Sequence, residues 1–350
     1  MKILAIESSC DETAASVVVD GVRVLSNVVA SSRQMHEKYG GIVPEVAARM
    51  QLSSIIPTIT EALLPIGDPS ESLLHRITKH IDAIAVTIGP GLIGSLLVGV
   101  ETAKTIAMAT RKPVIPVNHV LAHMYANFID TRNPIQFPAI SLVVSGGHTE
   151  LYLMESPEKL TWLGGTIDDA AGECFDKTAR LLGFGHGGGV AIQNAARLSR
   201  SIGKPVLPRP MLDKENALNF SFSGLKTAIL RQTQKLQSAG LWNDVAIADL
   251  SYEVQEAITD VLVKKTLRAL NLHHASTILL SGGVSANTRL REKFNERIQE
   301  TGMAITLHAP PVPLCTDNAV YIGSYAHFRG NPVSWQEINA FPDLSVEVRS

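Results

Sequence analysis

Aromatic residues make up only 5% of this 350-residue chain, too few for the stacked platform on which single-stranded nucleic acids rest. Cysteine is scarce as well. Cys10, Cys174 and Cys315 form neither a C-x-x-C pair nor a disulfide framework, which fits a reducing compartment. An excess of one charge is also missing, since 31 Lys and Arg stand against 33 Asp and Glu. The field of the whole molecule does not attract a polyanion, and nucleic acid would have to meet a local basic patch or a partner. Long apolar runs are absent too: the longest, Leu92 to Val100, is broken by Gly94 and Gly99 and does not span a bilayer. The first strand reaches Glu7 too early for a signal-peptide core. The expectation is a cytoplasmic protein without membrane association.

What is present is patterned apolar sequence. Apolar residues reach 45%, enough for sizeable cores, and the length predicts two lobes. Residues 2–7 read as a buried strand, followed by the polar turn Glu7 to Thr13, a strand at 14–19, Asp20-Gly21, and a strand at 22–29. Asp-Gly between alternating apolar residues is a hairpin signal. The unit recurs at 139–144, with the turn Ser145-Gly146-Gly147-His148-Thr149 and a returning strand at 150–154. The repetition predicts a duplicated architecture. Elsewhere strands at 81–88, 114–117 and 277–280 alternate with helices, the mark of α/β lobes. Lys204 to Asn219 reads as a surface loop.

Several constellations have the right chemistry for a site. His119 and His123 lie four apart, so on a helix they share one face and can hold one metal ion. Val120 stands where a zinc protease carries its Glu, so a metal without protease chemistry is indicated. Asp317 has the chemistry to complete a His₂Asp set, or to cap a helix, and the fold decides between them. Gly89-Pro90-Gly91-Leu92-Ile93-Gly94 matches the dinucleotide fingerprint, but the next strand ends at Asn118-His119 without the acid that a ribose needs. A tight turn with close helix packing is the preferred reading. The Ser145 to Thr149 turn suits an anion, and its twin at Ser8 to Thr13 carries acids instead. Ser281 to Asn287 joins a strand to a helix, where nucleosides often rest. Asp168 and Asp169 read as solvated acids favoured by a helix N-terminus, whereas Asp176 lies further in.

Nine stretches occur in a fixed order over nearly the whole chain: Ile6 to Thr13, Gly40 to Glu45, Gly89 to Gly99, Asn118 to His123, Val144 to Thr149, Ala171 to Lys177, Phe220 to Lys226, Ser281 to Asn287 and Cys315 to Asn318. In this the sequence resembles the tRNA N6-adenosine threonylcarbamoyltransferase family (TsaD), formerly labelled O-sialoglycoprotein endopeptidases. The resemblance implies an α/β fold of the sugar-kinase, Hsp70 and actin type (ASKHA), with two duplicated lobes of mixed sheets flanked by helices around a central nucleotide cleft. The N-terminal lobe is expected at 1–137, joined by a C-terminal helix and tail from about 322 to 350, and the C-terminal lobe at 138–321.

The resemblance further implies transfer of a threonylcarbamoyl group from threonylcarbamoyl-AMP to the N6 amine of the adenosine next to the anticodon, in tRNAs reading codons that start with A. It implies one divalent metal, Fe2+ before Zn2+, held by His119, His123 and Asp317. The activated donor would be lined by Val143, Val144, Ser145, Gly146, Gly147, Asp176, Gly189, Gln193 and Asn287. Asp11 and Glu12 are the expected catalytic acids, with Glu7 nearby. A TsaB-like paralogue and a TsaE-like ATPase are the implied protein partners. The chain departs from the family pattern at Gly187 to Val190, where prolines are usual, at Gln193, where many members carry an acid, and at Gln51, where His is frequent. The competing reading is a metal-dependent ATPase or phosphotransferase of the same fold. A metalloprotease and a non-enzymatic scaffold come behind it.

Overall fold

A computed structural model describes every residue except Lys38, Gly40, Pro69, Arg132, His186, 200–205, 213–217 and 349–350. Gly40, which opens one family stretch, and much of the expected loop from Lys204 to Asn219 therefore lie outside the described residues. The chain divides into two compact units, Met1–Pro134 with Pro310–Val348, and Ile135–Ala309.

The first unit is built on a five-stranded sheet of order β3-β2-β1-β4-β5. Its strands are β1 (Lys2–Glu7), β2 (Glu12–Val19), β3 (Arg23–Ser31), β4 (Ala83–Gly89) and β5 (Val114–Asn118). β1 pairs antiparallel with β2 and parallel with β4. This central position explains its unbroken apolar run, because Ile3 to Ile6 are buried completely. The turn from β2 to β3 uses Asp20 at φ 50° and Gly21 at φ 69°, left-handed conformations that an Asp-Gly turn supplies, and the Val22 N–H closes it on the Val19 carbonyl.

The second unit repeats this plan with β6 (Ala139–Val144), β7 (Thr149–Met154), β8 (Leu160–Gly165), β9 (Thr277–Ser281) and β10 (Thr306–His308). Their order is β10-β9-β6-β7-β8. β6 again pairs antiparallel with the strand that follows it and parallel with a later one, β9. The 29-residue helix Asp244–Leu272 carries much of this unit's core, with Val254, Ala257, Ile258, Val261 and Leu262 all buried.

The observed divisions differ from the expected ones. The first falls after Pro134 rather than 137, and the chain returns to the first unit at Pro310 rather than near 322. The reason is physical: the Pro-rich approach Pro310 to Pro313 has no periodicity of its own, so only the helix Val320–Phe328 announced the return. That helix packs on β1 and β2, and the tail adds Trp335, Ile338 and Ala340 to the first unit's core.

Candidate functional site

In the first unit the site begins where β1 ends. Glu7 is buried, and its carboxylate accepts hydrogen bonds from the Ser9 N–H at 2.6 Å and from the Thr87 hydroxyl. The acid-bearing turn that follows is shaped by its neighbours. Gln51, on the helix Pro44–Ala62, shares its amide N–H groups among the carbonyls of Ser8, Cys10 and Glu12 at 3.0–3.3 Å. Ser95 donates to the Cys10 carbonyl, and Leu92 N–H to the Ser9 carbonyl at 2.8 Å. A side chain at Gly91 would put its Cβ 2.5 Å from that same Ser9 oxygen. The glycine-rich stretch from Gly89 is thus a close-packing device whose amides are used internally, and the dinucleotide reading does not survive.

β5 ends at Asn118, whose side-chain oxygen accepts from the N–H groups of Val120 and Leu121 and so starts a helix. That helix is only His119–Ala122, and His123 opens a 3-10 segment running to Phe128. The two imidazoles still share a face, with ring centroids 4.8 Å apart. Asp317 reaches them from the returning segment, its Oδ1 lying 3.7 Å from His119 Nε2 and 3.6 Å from His123 Nε2. Tyr321, in the first turn of the helix Val320–Phe328, donates to that carboxylate at 3.4 Å and lies against the His123 ring. The ligand atoms of His119, His123 and Asp317 all fall within 4.8 Å of one another.

The donor set fits a divalent ion. Two ligands each about 2.1 Å from one ion stand at most about 4.2 Å apart, so a small contraction brings the set into range. His119 Nδ1 donates to Glu7 Oε2 at 3.1 Å, leaving Nε2 turned toward Asp317. This carboxylate–histidine arrangement is how metal-binding imidazoles are usually oriented.

Charge is balanced tightly here. Burial would lower the pKa of His119, but Glu7 and Asp317 outweigh it and push it up to about 9. Burial would raise Glu7, yet the His119 charge and three hydrogen bonds hold it below the usual carboxylate range. Asp317 is raised, by burial first and then by its acidic neighbours Glu7 and Asp11, against the pull of His119. Glu12 is pushed up to about 7, mainly by burial, with Asp11 and Asp317 adding to it against the hydrogen bond from Ser31. Its second oxygen is buried without a hydrogen bond among the described residues. Glu12 therefore changes charge near neutral pH, the property a general base needs.

The expected donor-binding residues lie in the second unit. Val143 and Val144 end β6, and Ser145 to His148 form a closed turn in which Ser145 N–H donates to the His148 carbonyl. Gly146 and Gly147 are exposed, and their N–H groups make no hydrogen bond among the described residues. The turn is braced by Gly172, whose N–H donates to the Ser145 carbonyl. Gly282 braces it from β9: at φ 83° it approaches so closely that a Cβ would lie 2.4 Å from the Val144 oxygen. These turns sit at the carboxyl ends of neighbouring parallel strands, the usual ligand position in α/β sheets.

Asn287 caps the helix Thr288–Thr301 through Leu290 N–H and donates its amide to Gln255 at 3.1 Å. Gln193 accepts from Thr288 N–H at 2.7 Å, which brings it beside Asn287. Asp176 is exposed, and Gly188, not Gly189, is the glycine pressed against it. Asp168 is exposed, as expected, but its hydrogen bonds lie away from the helix that follows it. It caps a distant helix, Ser223–Ser238, accepting from Phe222 N–H and from the hydroxyls of Ser221 and Ser223 at 2.5–2.8 Å. Thr87 and Gln51 carried no local functional signal, whereas Tyr321 had one in its spacing of four from Asp317.

The chain resembles known proteins over nearly its whole length. The family model described as "TsaD: tRNA N6-adenosine threonylcarbamoyltransferase" matches residues 23–324. A tRNA N6-adenosine threonylcarbamoyltransferase of Syntrophomonas wolfei is 48% identical over 347 residues, covering 98% of this chain and 97% of that protein. One from Persephonella marina is 46% identical, covering 94% and 91%. Among solved structures, component A of the Acidaminococcus fermentans (R)-2-hydroxyglutaryl-CoA dehydratase aligns with TM-score 0.51 at 12% identity, over 93% of this chain and 98% of that one. HypF of T. kodakarensis aligns with TM-score 0.55 at 15% identity, over 93% of this chain and 47% of that one. These two likenesses show the actin-like ASKHA fold and nothing of the chemistry. No helix among the described residues is long and apolar enough to cross a membrane.

Proposed function

The chain belongs to the tRNA N6-adenosine threonylcarbamoyltransferase family, and we propose that it moves the threonylcarbamoyl group of threonylcarbamoyl-AMP onto N6 of the adenosine next to the anticodon. The acceptors are tRNAs reading codons that start with A, and the product is t6A. The observation that carries this reading is the convergence of His119, His123 and Asp317 beside Glu12.

The exocyclic amine of adenosine is a poor nucleophile, because its lone pair is delocalised into the purine. A mixed anhydride with AMP as leaving group compensates for that. The N6–carbonyl bond forms, the bond from the carbonyl carbon to the phosphate oxygen breaks, and AMP departs with the electron pair. The proton lost from N6 goes to the Glu12 carboxylate, whose pKa of about 7 suits the task at neutral pH. Asp11, on the same turn, is the second candidate acid. On the second unit, the unused N–H groups of Gly146 and Gly147 suit the donor's phosphate, and Asn287, Gln193 and Asp176 its nucleoside.

The family implies a divalent metal, and His119, His123 and Asp317 are the residues that would hold it. Two imidazoles and one carboxylate with open positions suit Fe2+ first and Zn2+ second. When bound, the ion supplies Lewis-acid stabilisation of negative charge. Mg2+ prefers oxygen ligands, so the pair of histidines disfavours a phosphotransferase reading. Donor synthesis falls to a separate enzyme, and turnover to a complex with a TsaB-like paralogue and a TsaE-like ATPase.

The test mixes this protein with those partners, a divalent metal, synthetic threonylcarbamoyl-AMP and unmodified tRNA. Modified adenosine, detected by mass spectrometry of the nucleosides, is the expected result. Its absence with folded, metal-loaded protein refutes the reading.

A further inference from the structure

The glycine turn that matches a dinucleotide fingerprint is covered by the chain's own C-terminal segment. After pairing with β5 at Val333, whose N–H donates to the Val114 carbonyl at 2.8 Å, the chain packs Trp335, Ile338 and Ala340 into the first unit's core. Phe341 to Ser345 then crosses the carboxyl ends of β4 and β5. Phe341 N–H donates to the Ile88 carbonyl at 2.7 Å, and Gly91 N–H to the Pro342 carbonyl at 3.1 Å. The side-chain amide of Asn118 donates to the Ser345 carbonyl at 2.9 Å. Gly89, opposite Asn118 in the ladder, stands at φ 153°, and a Cβ there would collide with the Phe341 carbonyl oxygen. The segment lies that close to the strand end.

Both places that the segment holds lead to the histidines. Asn118 is buried, and its side-chain oxygen takes the Val120 and Leu121 N–H groups that open the helix His119–Ala122. A helix of four residues does not sustain itself, because nucleation is costly, so its direction depends on its cap and its packing. The Ser345 carbonyl fixes the other end of that capping amide. Without it a buried N–H loses its acceptor, which is costly, and the amide is free to turn. The second path runs through the glycine turn. Pro342 holds Gly91, the adjacent Leu92 N–H holds the Ser9 carbonyl, and the Ser9 hydroxyl lies 3.3 Å from His119 Nδ1. The segment thus reaches His119 by two paths, without being one of its ligands.

We propose that Phe341 to Ser345 is a positioning segment of the metal centre: by clasping the ends of β4 and β5, it sets His119 and His123 where they meet Asp317. This rests on the reading of His119, His123 and Asp317 as metal ligands. The segment acts through Asn118 and Ser9, not by coordination.

The test uses the full chain carrying Asn118→Ser. Serine caps a helix as well as asparagine does, but it cannot donate to the Ser345 carbonyl as the amide does. Beside it stands a chain ended after Ala340, which keeps the core anchors and the pairing with β5; where that chain does not fold, Asn118→Ser decides. Zn2+ and Co2+ are titrated against a chromophoric chelator at one pH. Loss of an outer partner of a metal site typically costs about 10–100-fold in affinity. Each variant should bind about tenfold more weakly than wild type, with an altered Co2+ spectrum. Both changes remove the same hydrogen bond, so Asn118→Ser should add little to the shortened chain. The control is Asp168→Ala, which loosens helix Ser223–Ser238 in the second unit and should bind the ions as wild type does. Wild-type affinity and spectrum in either variant overturn the proposal. Additive losses overturn it too, because the two changes would then act separately. An equal loss in Asp168→Ala also overturns it, since the effect would be one of general stability. His119→Ala separates the two readings: if it binds the ions as wild type does, the ligand set fails and this proposal with it.

Discussion

Replacing Glu7 by Gln keeps the shape of the side chain and removes its charge, and the effect on metal binding should depend on pH. In the metal-free protein His119 has its pKa pushed up to about 9 from 6.5, chiefly by Glu7 against the opposing effect of burial. Its proton therefore stabilises the metal-free fold fully below pH 6.5, and that contribution is lost as pH rises through 9. An ion must displace this proton from Nε2, so each pH unit below 9 costs about tenfold in apparent affinity. Between pH 9 and pH 7 the wild-type protein should lose about a hundredfold, or about 3 kcal/mol.

Glu7→Gln acts in two opposite directions. It weakens the hold on His119 Nδ1, now 3.1 Å from the carboxylate, and loss of such an outer partner typically costs 10–100-fold in metal affinity. It also removes the main group that keeps His119 protonated, so the pH dependence should flatten. The variant should bind about 10–100-fold more weakly than wild type at pH 9, with the gap narrowing toward pH 7. Competition with a chromophoric chelator, using Zn2+ and Co2+ across this range, measures both effects, and the Co2+ spectrum reports ligand geometry. A flat wild-type profile would refute the protonated His119. Equal affinities at pH 9 would refute the orienting role of Glu7.

Three further outcomes are expected. Glu12→Gln should lower transfer by about 10²–10⁴-fold with donor binding kept, and it should abolish the fall in wild-type rate as pH drops below about 7; a variant with unchanged rate and profile removes Glu12 from the mechanism. Gln51→Ala leaves the carbonyls of Ser8, Cys10 and Glu12 without their shared donor, and chemical denaturation should show a loss of about 1–3 kcal/mol. Asp168→Ala removes the cap of helix Ser223–Ser238, with an expected loss of about 1–2 kcal/mol by calorimetry, while Asp168→Asn recovers most of it.

Local signals in the sequence carried much of the architecture. Asp20-Gly21 marked its hairpin because an Asp-Gly pair supplies the left-handed conformations of that turn, and the strand–turn–strand units at the start and middle of the chain do recur as matching sheets. The histidine pair was legible from spacing, since its geometry depends on one helical turn. What stayed hidden depends on contacts between distant segments. The capping role of Asp168 was hidden because its partners lie near Ser223, and a local reading assigns it to the nearest helix. Gln51 looked like a mere departure from a family pattern, yet buried it organises the acid-bearing turn. Asp317 offered two chemistries, and only the return of the chain at Pro310 brought its carboxylate to His119 and His123.

That return has a consequence for synthesis. The whole of Ile135–Ala309 is made between the histidines and Asp317, so a growing chain carries two of the three proposed ligands long before the third exists. Two imidazoles alone offer an ion fewer ligands than the complete set. The finished coordination set arises only when the last segment has docked, after a long loop has been closed. A chain that stops before Asp317 would lack the third of the proposed ligands, so the proposed set can bind an ion in full only once the last segment has docked.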